Sequence, residues 1–189
     1  MRRWLLLGVF FFIAGCAAKI PHAIVPDYAK RGTRLIAVMP VVSGSADPRA
    51  AVMLREKLVE ELYFKGYPKI PPKAIDEKLA GVSAGGEIPP TRVGELLRVD
   101  AVLYARVKEA GTTRALFYAP TTVDVEFELK SARTGESLWR VQYRMTHRHF
   151  AFTRKQVELK SSQVFEPAIH GVVTRALSTL PDISDAVGS

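Results

Sequence analysis

Cys16 is the only cysteine in this chain of 189 residues, and its surroundings restrict the chemistry open to it. A single thiol cannot close a disulfide within its own chain, but it can act as a nucleophile or carry an acyl group. Cys16 follows an apolar and glycine run over residues 4–13, and Arg2 and Arg3 precede that run. A thiol behind a basic and then apolar leader is typical of a membrane attachment site.

Residues 1–16 resemble the leader of a bacterial lipoprotein. The apolar run is too short to cross roughly 30 Å of hydrocarbon as a mature helix, so we interpret 1–15 as a secretory signal peptide. Residues 13–16 (Ile-Ala-Gly-Cys) resemble the lipobox, although Leu is commoner than Ile at its first position. In proteins with a lipobox, signal peptidase II cuts before the cysteine, which then carries diacylglycerol on its thiol and a further acyl chain, such as palmitate, on its amine.

We therefore predict that Cys16 is lipidated. Two or more acyl chains hold a protein on a membrane stably, whereas one chain does so only marginally. The alternative is an ordinary signal peptide that happens to contain a cysteine.

The net charge bears on the kind of partner. Loss of Arg2 and Arg3 with the leader lowers the formal net charge from +8 to +6. A basic exported protein fits anionic lipid, an acidic glycan or an acidic protein, although a solvated surface explains the charge better. The aromatic residues are not interleaved with a basic stripe, so we predict no nucleic-acid partner.

Ser83 lies in the sequence Gly-Val-Ser-Ala-Gly at 81–85, which matches the G-x-S-x-G pattern of serine hydrolases. That pattern needs a buried strand before the serine and a helix directly after it. Here the preceding residues have helical spacing and Gly86 follows the motif. A flexible glycine-serine loop fits better, and a hydrolase remains the weaker alternative.

His147 and His149 stand two residues apart, so on a strand they would face the same side and could share a metal. A closed zinc site needs four ligands, no free cysteine is available, and Arg144 and Arg148 would repel a cation. The chain also lacks the G-x-x-x-x-G-K, G-x-G-x-x-G and H-E-x-x-H motifs. We therefore expect no metal, no cofactor and no enzymatic activity.

The chain divides into four parts by its pattern. After the leader, residues 16–32 contain Pro21 and Pro26 and lack helical or strand periodicity, which predicts a lipidated tether with a reach of roughly 20–24 Å. We predict one domain over 33–181 and a frayed tail over 182–189.

Apolar runs and helical spacing indicate an α/β (α+β) fold with a single mixed β-sheet and helices packed against it. We expect a helix that begins at Asp47 and Pro48 and ends at Gly66, a second that begins at 71 and ends at Leu79, and a third that is capped by Thr91. The predicted strands before the hairpin cover 34–42, 67–70 and 101–107.

Two alternating segments predict an antiparallel hairpin near the C-terminus. Apolar residues alternate with polar ones over 123–130 and over 139–146, and both apolar sets share one face if the loop has an odd number of residues. A loop of Arg133, Thr134 and Gly135, with Gly135 left-handed, satisfies this condition. It sets Asp124 opposite Arg144 and Glu128 opposite Arg140. A long helix that ends near Leu180 follows the hairpin.

Four stretches occur in an order that resembles a family of bacterial lipoproteins of unassigned biochemical function. They are 34–40, Tyr67 with the later Pro71 and Pro72, 99–104 and 133–139. The resemblance implies a fold similar to the N-terminal domain of TolB, to the curli-secretion lipoprotein CsgG and to lipoprotein activators of penicillin-binding proteins. Such relatives bind proteins or assemble, and they offer no catalytic residues. The membrane-inserting hairpins of a CsgG-type pore are missing here.

The resemblance and the leader together predict a non-catalytic interaction and assembly module, anchored in the outer membrane and facing the periplasm. Ala17, in place of Asp, favours outer-membrane sorting by analogy with enterobacterial rules. Its partners would be envelope proteins, and self-association or a role as a subunit of an export machine stays open. The loops at 42–48 and 81–90 are the expected docking sites, since exposed loops carry function. Their candidate residues are Ser43, Gly44, Ser45, Ser83, Gly85 and Gly86.

Overall fold

The computed structural model describes residues 19–44, 48–82, 88–112, 118–150 and 165–186. The strands are β1 (His22–Ile24), β2 (Ile36–Val38), β3 (Val42–Ser43), β4 (Ala101–Thr112), β5 (Tyr118–Ser131) and β6 (Ser137–Phe150). The helices are α1 (Pro48–Phe64), α2 (Pro72–Leu79), α3 (Pro90–Leu97), α4 (Phe165–Leu177) and α5 (Ile183–Ala186), and a 3₁₀ turn covers Tyr28–Arg31.

The strands form one mixed sheet in the order β1-β6-β5-β4-β2, and β3 also pairs with β4. β2 and β3 run parallel to β4, whereas the other pairs are antiparallel. The predicted fold class is confirmed. α1 lies in the connection between the parallel strands β3 and β4. The long antiparallel strands β4, β5 and β6 supply most of the sheet.

The main core lies between one sheet face and the helices α1 and α4. The apolar side chains of β5 and β6 pack there against the apolar side chains of the two helices. Phe127, Trp139 and Leu58 are almost completely buried. Burial of a large apolar side chain stabilises a protein by about 1.5–3 kcal/mol, so this face dominates the stability.

A smaller core lies on the opposite face, where α2 and α3 cover β2 and the first half of β4. Ala37, Val102, Ile75 and Val93 are fully buried in it. The same face of β5 and β6 carries the polar residues of the alternation. The sheet is therefore covered on both faces near β2 and on one face near β6.

The hairpin has the predicted register, with Asp124 opposite Arg144 and Glu128 opposite Arg140. Gly135 adopts a left-handed conformation with φ of +76°. A register shift between Leu129 and Lys130 lengthens the connection beyond three residues. The loop chemistry was predicted correctly, and its length was underestimated.

The segment expected to be a tether over 16–32 is partly folded. β1 pairs with β6 from His22 opposite Val141 to Ile24 opposite Trp139. Tyr28 is 3% exposed, and its hydroxyl lies 3.2 Å from the hydroxyl of Tyr67. A strand of three residues is too short to show periodicity in sequence, which is why the pattern did not reveal it.

Three further elements differ from the sequence-based predictions. Residues 67–70 form no strand, and the helix predicted to be capped by Thr91 has Pro89 as its N-cap, two residues earlier. The tail predicted to fray contains α5, whose first amide, at Ile183, donates to the carbonyl of Lys65. No helix in the described part of the chain is long and apolar enough to cross a membrane.

Candidate functional site

The described ends of the two predicted docking loops meet on β4. Val42 of β3 pairs with Arg106, and the Tyr104 hydroxyl donates to the carbonyl of Ile88 at 3.2 Å. Tyr104 and Arg106 lie two residues apart on β4, so their side chains leave the same face of the sheet. The fold thus brings two loops together that are distant in sequence.

Only part of these loops is described. Val42 is 54% exposed, Gly44 is exposed and Ser43 is half-buried. The remaining candidates, Ser45, Ser83, Gly85 and Gly86, lie outside the described residues, as does Cys16. Lipidation of Cys16 therefore remains a prediction, and a catalytic role of Ser83 remains the weaker alternative.

The open face of β4, β5 and β6 is a layer of ion pairs. Arg140 contacts Glu128 at 2.7 Å, and the Nε of Arg144 donates to Asp124 at 3.0 Å. Asp124 is only 5% exposed and also accepts a hydrogen bond from Gln142 at 2.9 Å. Cross-strand pairs of opposite charge contribute roughly 0.2–1 kcal/mol each, so this layer mainly fixes the register.

The charged residues of this layer also change the pKa of Glu128. Burial by itself would raise the pKa of Glu128, but hydrogen bonds from Ser137 and Arg140 and the charge of Lys130 outweigh it and lower the pKa. The carboxylate is held ionised, which suits a structural ion pair. A general acid would need the opposite shift.

Two exposed aromatic side chains at the end of α1 form an apolar patch that was not predicted from the sequence. Tyr63 is 59% exposed and Phe64 is 70% exposed, and their ring centroids are 6.2 Å apart. Leu62, next to them, is 4% exposed and faces the core. Successive helix residues point in directions about 100° apart, so Leu62 and Phe64 cannot both face the core. The helical spacing of these residues could therefore have indicated an exposed aromatic side chain at the end of α1.

A groove of about 850 Å³ lies between α1, α4 and the start of α2. Its charged lining is of both signs and includes Glu60, Lys57 and His170. A hydrogen bond from Lys57 is the main cause that lowers the pKa of Glu60. The lining does not resemble a catalytic centre, because it lacks a nucleophile paired with a base.

The two histidines considered as metal ligands both lie on β6, His147 opposite Thr121 and His149 opposite Ala119. Among residues 19–44, 48–82, 88–112, 118–150 and 165–186, no group of three or more His, Cys, Asp or Glu side chains is placed to hold a metal.

A family model described as "Putative lipoprotein GNA1162-like" matches residues 26–188, which is most of the chain. The chain belongs to this family. The predicted resemblance to a lipoprotein family is confirmed, and membership implies attachment to a membrane. The likeness to TolB and CsgG stays a prediction.

A relative of this chain is "Putative lipoprotein NMB1124/NMB1162" of Neisseria meningitidis serogroup B. It is 28% identical over 143 residues, which cover 71% of this chain and 66% of the relative. The chain thus matches slightly less than two thirds of that protein's length.

Two solved structures share the fold. Lipoprotein GNA1162 from Neisseria meningitidis has a TM-score of 0.57 at 22% identity and covers 71% of this chain and 96% of its own. The PelC dodecamer from Paraburkholderia phytofirmans has a TM-score of 0.52 at 18% identity and covers 84% and 96%. At these identities the likeness concerns the fold.

Proposed function

We propose that this protein is an acyl-anchored envelope lipoprotein whose folded domain is a non-catalytic interaction and assembly module. Cys16 would carry the anchor, and the domain would face the periplasm from the outer membrane. Membership of a lipoprotein family and the lipobox-like sequence over 13–16 support the anchor. Ala17 supports the choice of membrane by analogy.

The observation that carries the assembly role is the exposed pair Tyr63 and Phe64. Large exposed aromatic side chains are costly in water and are enriched at protein interfaces, because they bury much area with few rotatable bonds. The groove along α1 has a lining with charges of both signs, and it reaches Glu60, about one helical turn before Phe64.

Self-association is the form of assembly that we favour. Val52, 58% exposed, lies on α1 about 17 Å from Tyr63 along the helix axis. Exposed apolar residues at separate positions of one protomer allow a head-to-tail contact, which closes into a ring when the rotation is correct. The PelC structure, of similar fold, is a dodecamer. The loops 42–48 and 81–90 would then remain available to other envelope proteins.

Substitution of the aromatic pair tests the assembly role. The mass of the acylated protein in detergent should exceed that of a monomer, and the double substitution Tyr63→Ser with Phe64→Ser should return it to a monomer. Val82→Ser is the matched control, because it removes an exposed apolar side chain elsewhere. Exposed substitutions change stability by about 0.5 kcal/mol or less, so the loss would not reflect unfolding.

A photo-crosslinking residue at position 64 separates the remaining possibilities in cells. A crosslink between copies supports self-association, whereas a crosslink only to a different envelope protein favours the accessory subunit of an export machine. A monomer with no crosslinked product would refute the assembly role. Labelling of Ser83 by a serine-reactive probe would instead favour the hydrolase.

The anchor has its own test. Cys16→Ser should leave an uncleaved or soluble precursor, and globomycin should cause the same precursor to accumulate. A Cys16→Ser protein that stays with membranes after a high-salt wash would show that the attachment is not the acyl group.

A further inference from the structure

The folded part of the chain begins very close to the proposed lipid anchor. Ile20 is half-buried and packs against the main core, and its carbonyl accepts a hydrogen bond from Nδ1 of His22 at 2.8 Å. His22 is already paired with Val141 in the sheet. The chain is therefore already part of the fold at residue 20, whereas the sequence pattern predicts a domain that begins at 33.

The short connection limits the distance between the domain and the bilayer. Three residue steps separate Cys16 from Lys19, and an extended chain spans at most about 10 Å over three residues. The headgroup layer is roughly 5–7 Å thick on each side of the hydrocarbon. Lys19 must then lie within or directly above the headgroups.

The chain enters the fold at the outer edge of the sheet. β1 covers β6 only between Trp139 and Val141, and in the described part of the chain no strand pairs with the outer side of β6 beyond Val141. Because β1 runs antiparallel to β6, the direction from His22 back to Lys19 leads toward this uncovered part of β6. The described chain therefore leaves the sheet at Lys19 on the side of this uncovered edge.

The residues at this edge are basic. β6 contains three arginines and two histidines and no acidic residue, and residues 19–25 contain a lysine and a histidine and no acidic residue. The side chains of Arg140 and Arg144 are 54% and 59% exposed, and Arg148 is exposed. The acidic partners of Arg140 and Arg144 stand on β4 and β5, at least one strand further from the edge.

We propose that this edge, formed by Lys19, Arg140, Arg144 and Arg148, rests on the surface of an anionic phospholipid bilayer. The acyl anchor on Cys16, which is part of the proposed function, holds the edge within reach of the headgroups. Lysine and arginine side chains within a Debye length of about 8 Å are attracted by anionic headgroups, and this attraction selects the orientation. The lipid surface also covers the outer side of β6 beyond Val141, where the described part of the chain places no pairing strand, and so shields it from a strand of another chain.

Fluorescent labels on opposite sides of the molecule test this orientation. The acylated full-length protein would be reconstituted into vesicles of phosphatidylethanolamine and phosphatidylglycerol that contain a lipid with a quencher on its headgroup. Ala23→Cys places a label on β1, at an exposed position opposite Arg140. Glu77→Cys places one on α2, which packs over the other end of the sheet, roughly 19 Å away at four strand spacings.

We expect strong quenching of the label at 23 and little at 77. Arg148→Glu changes the edge charge by two units, which should reduce the edge-bound orientation roughly tenfold or more and quenching at 23 with it. Lys73→Glu, a substitution of the same charge change at a side chain 87% exposed on α2, is the matched control and should change nothing.

The possible outcomes test the proposed orientation independently of the proposed acyl anchor. Protein that floats with the vesicles but is quenched equally at both labels, or more at 77, keeps the anchor and overturns the orientation. Self-quenching between labels at 23 without quenching by lipid would assign the edge to a second copy and also overturn it. Protein that fails to float would overturn the anchor and the orientation together.

Discussion

Arg55 donates two hydrogen bonds of 2.8 Å to the carboxylate of Asp76 and so connects α1 to α2. The same guanidinium donates from Nε and Nη2 to the carbonyl of Val38 at 3.1 and 3.0 Å. Val38 is the last residue of β2, the edge strand of the sheet. One buried arginine therefore joins two helices and satisfies a carbonyl at the end of an edge strand.

Arg55→Met should be among the most destabilising single substitutions outside the apolar core. It leaves the carbonyl of Val38 without its donor and removes a bidentate pair, so we expect a loss of about 2–4 kcal/mol in the free energy of unfolding. Asp76 is half-exposed, and Asp76→Asn should therefore cost only about 1 kcal/mol. Urea unfolding of the protein without its leader measures both values. Equal effects of the two substitutions would show that the contact with Val38 contributes nothing.

Gly94 lies where α3 packs closely against the hairpin turn. A Cβ atom there would lie 2.7 Å from the Cβ of Ala132 and 2.8 Å from its carbonyl oxygen. Gly94→Ala gains about 1 kcal/mol of helix propensity but forces the turn apart, and we expect a net destabilisation of about 1–3 kcal/mol.

Gly81→Ala is the matched control, because a Cβ at Gly81 meets nothing within 4 Å. Its melting temperature should stay close to that of the wild type, whereas that of Gly94→Ala should fall. A rise in melting temperature for Gly94→Ala would mean that the helix and the turn separate easily.

The sequence predicts well where the signal is local. Each strand of the hairpin shows period-two alternation over many residues, and Gly135 marks the turn, so the pairing of Glu128 with Arg140 could be deduced correctly. The α4 stripe, with Val172 and Val173 buried, follows from helical spacing in the same way.

The sequence predicts poorly where the partner is distant. Arg55 interrupts the apolar stripe of α1. A charged residue in such a stripe indicates that it has a partner within the fold, but helical spacing cannot show that this partner is Asp76. β1 pairs with a strand far along the chain and is too short to show periodicity. The structure describes the two docking loops only at their ends, beside β4, so their role stays a prediction. The exposed pair Tyr63 and Phe64 was not predicted, because the interpretation of α1 followed its buried stripe.

Residues 20–31 should contribute to stability as part of the domain. We compare a chain that starts at Lys19 with one that starts at Thr33 and lacks β1 and the buried ring of Tyr28. Loss of a buried aromatic side chain alone costs about 3–5 kcal/mol, so the shorter chain should be less stable by at least about 3 kcal/mol.

Guanidinium unfolding of both chains provides the measurement. Ala29→Ser in the longer chain is the control, since Ala29 lies exposed in the same turn as Tyr28 and its substitution should change little. Equal midpoints for the two chains would show that residues 19–32 behave as the flexible tether predicted from the sequence.

The buried tyrosine pair makes stability depend on alkaline pH. Burial raises the pKa of both Tyr28 and Tyr67, and the neighbouring Tyr28 phenol raises that of Tyr67 further. Tyrosines of the unfolded chain ionise near pH 10, while these two keep their protons to higher pH in the folded chain. Above pH 10 the unfolded state therefore binds fewer protons than the folded state, and stability falls as the pH rises.

Each such tyrosine lowers the free energy of unfolding by about 1.4 kcal/mol per pH unit between its unfolded and folded pKa values. Tyr67→Phe removes one of them, so the decline above pH 10 should become shallower by about that amount. At neutral pH the substitution costs about 1 kcal/mol, because the hydrogen bond to the carbonyl of Pro181 at 3.0 Å is lost. Denaturant unfolding at a series of pH values gives both slopes, and an identical slope for Tyr67→Phe and wild type would show that Tyr67 ionises freely in the folded protein.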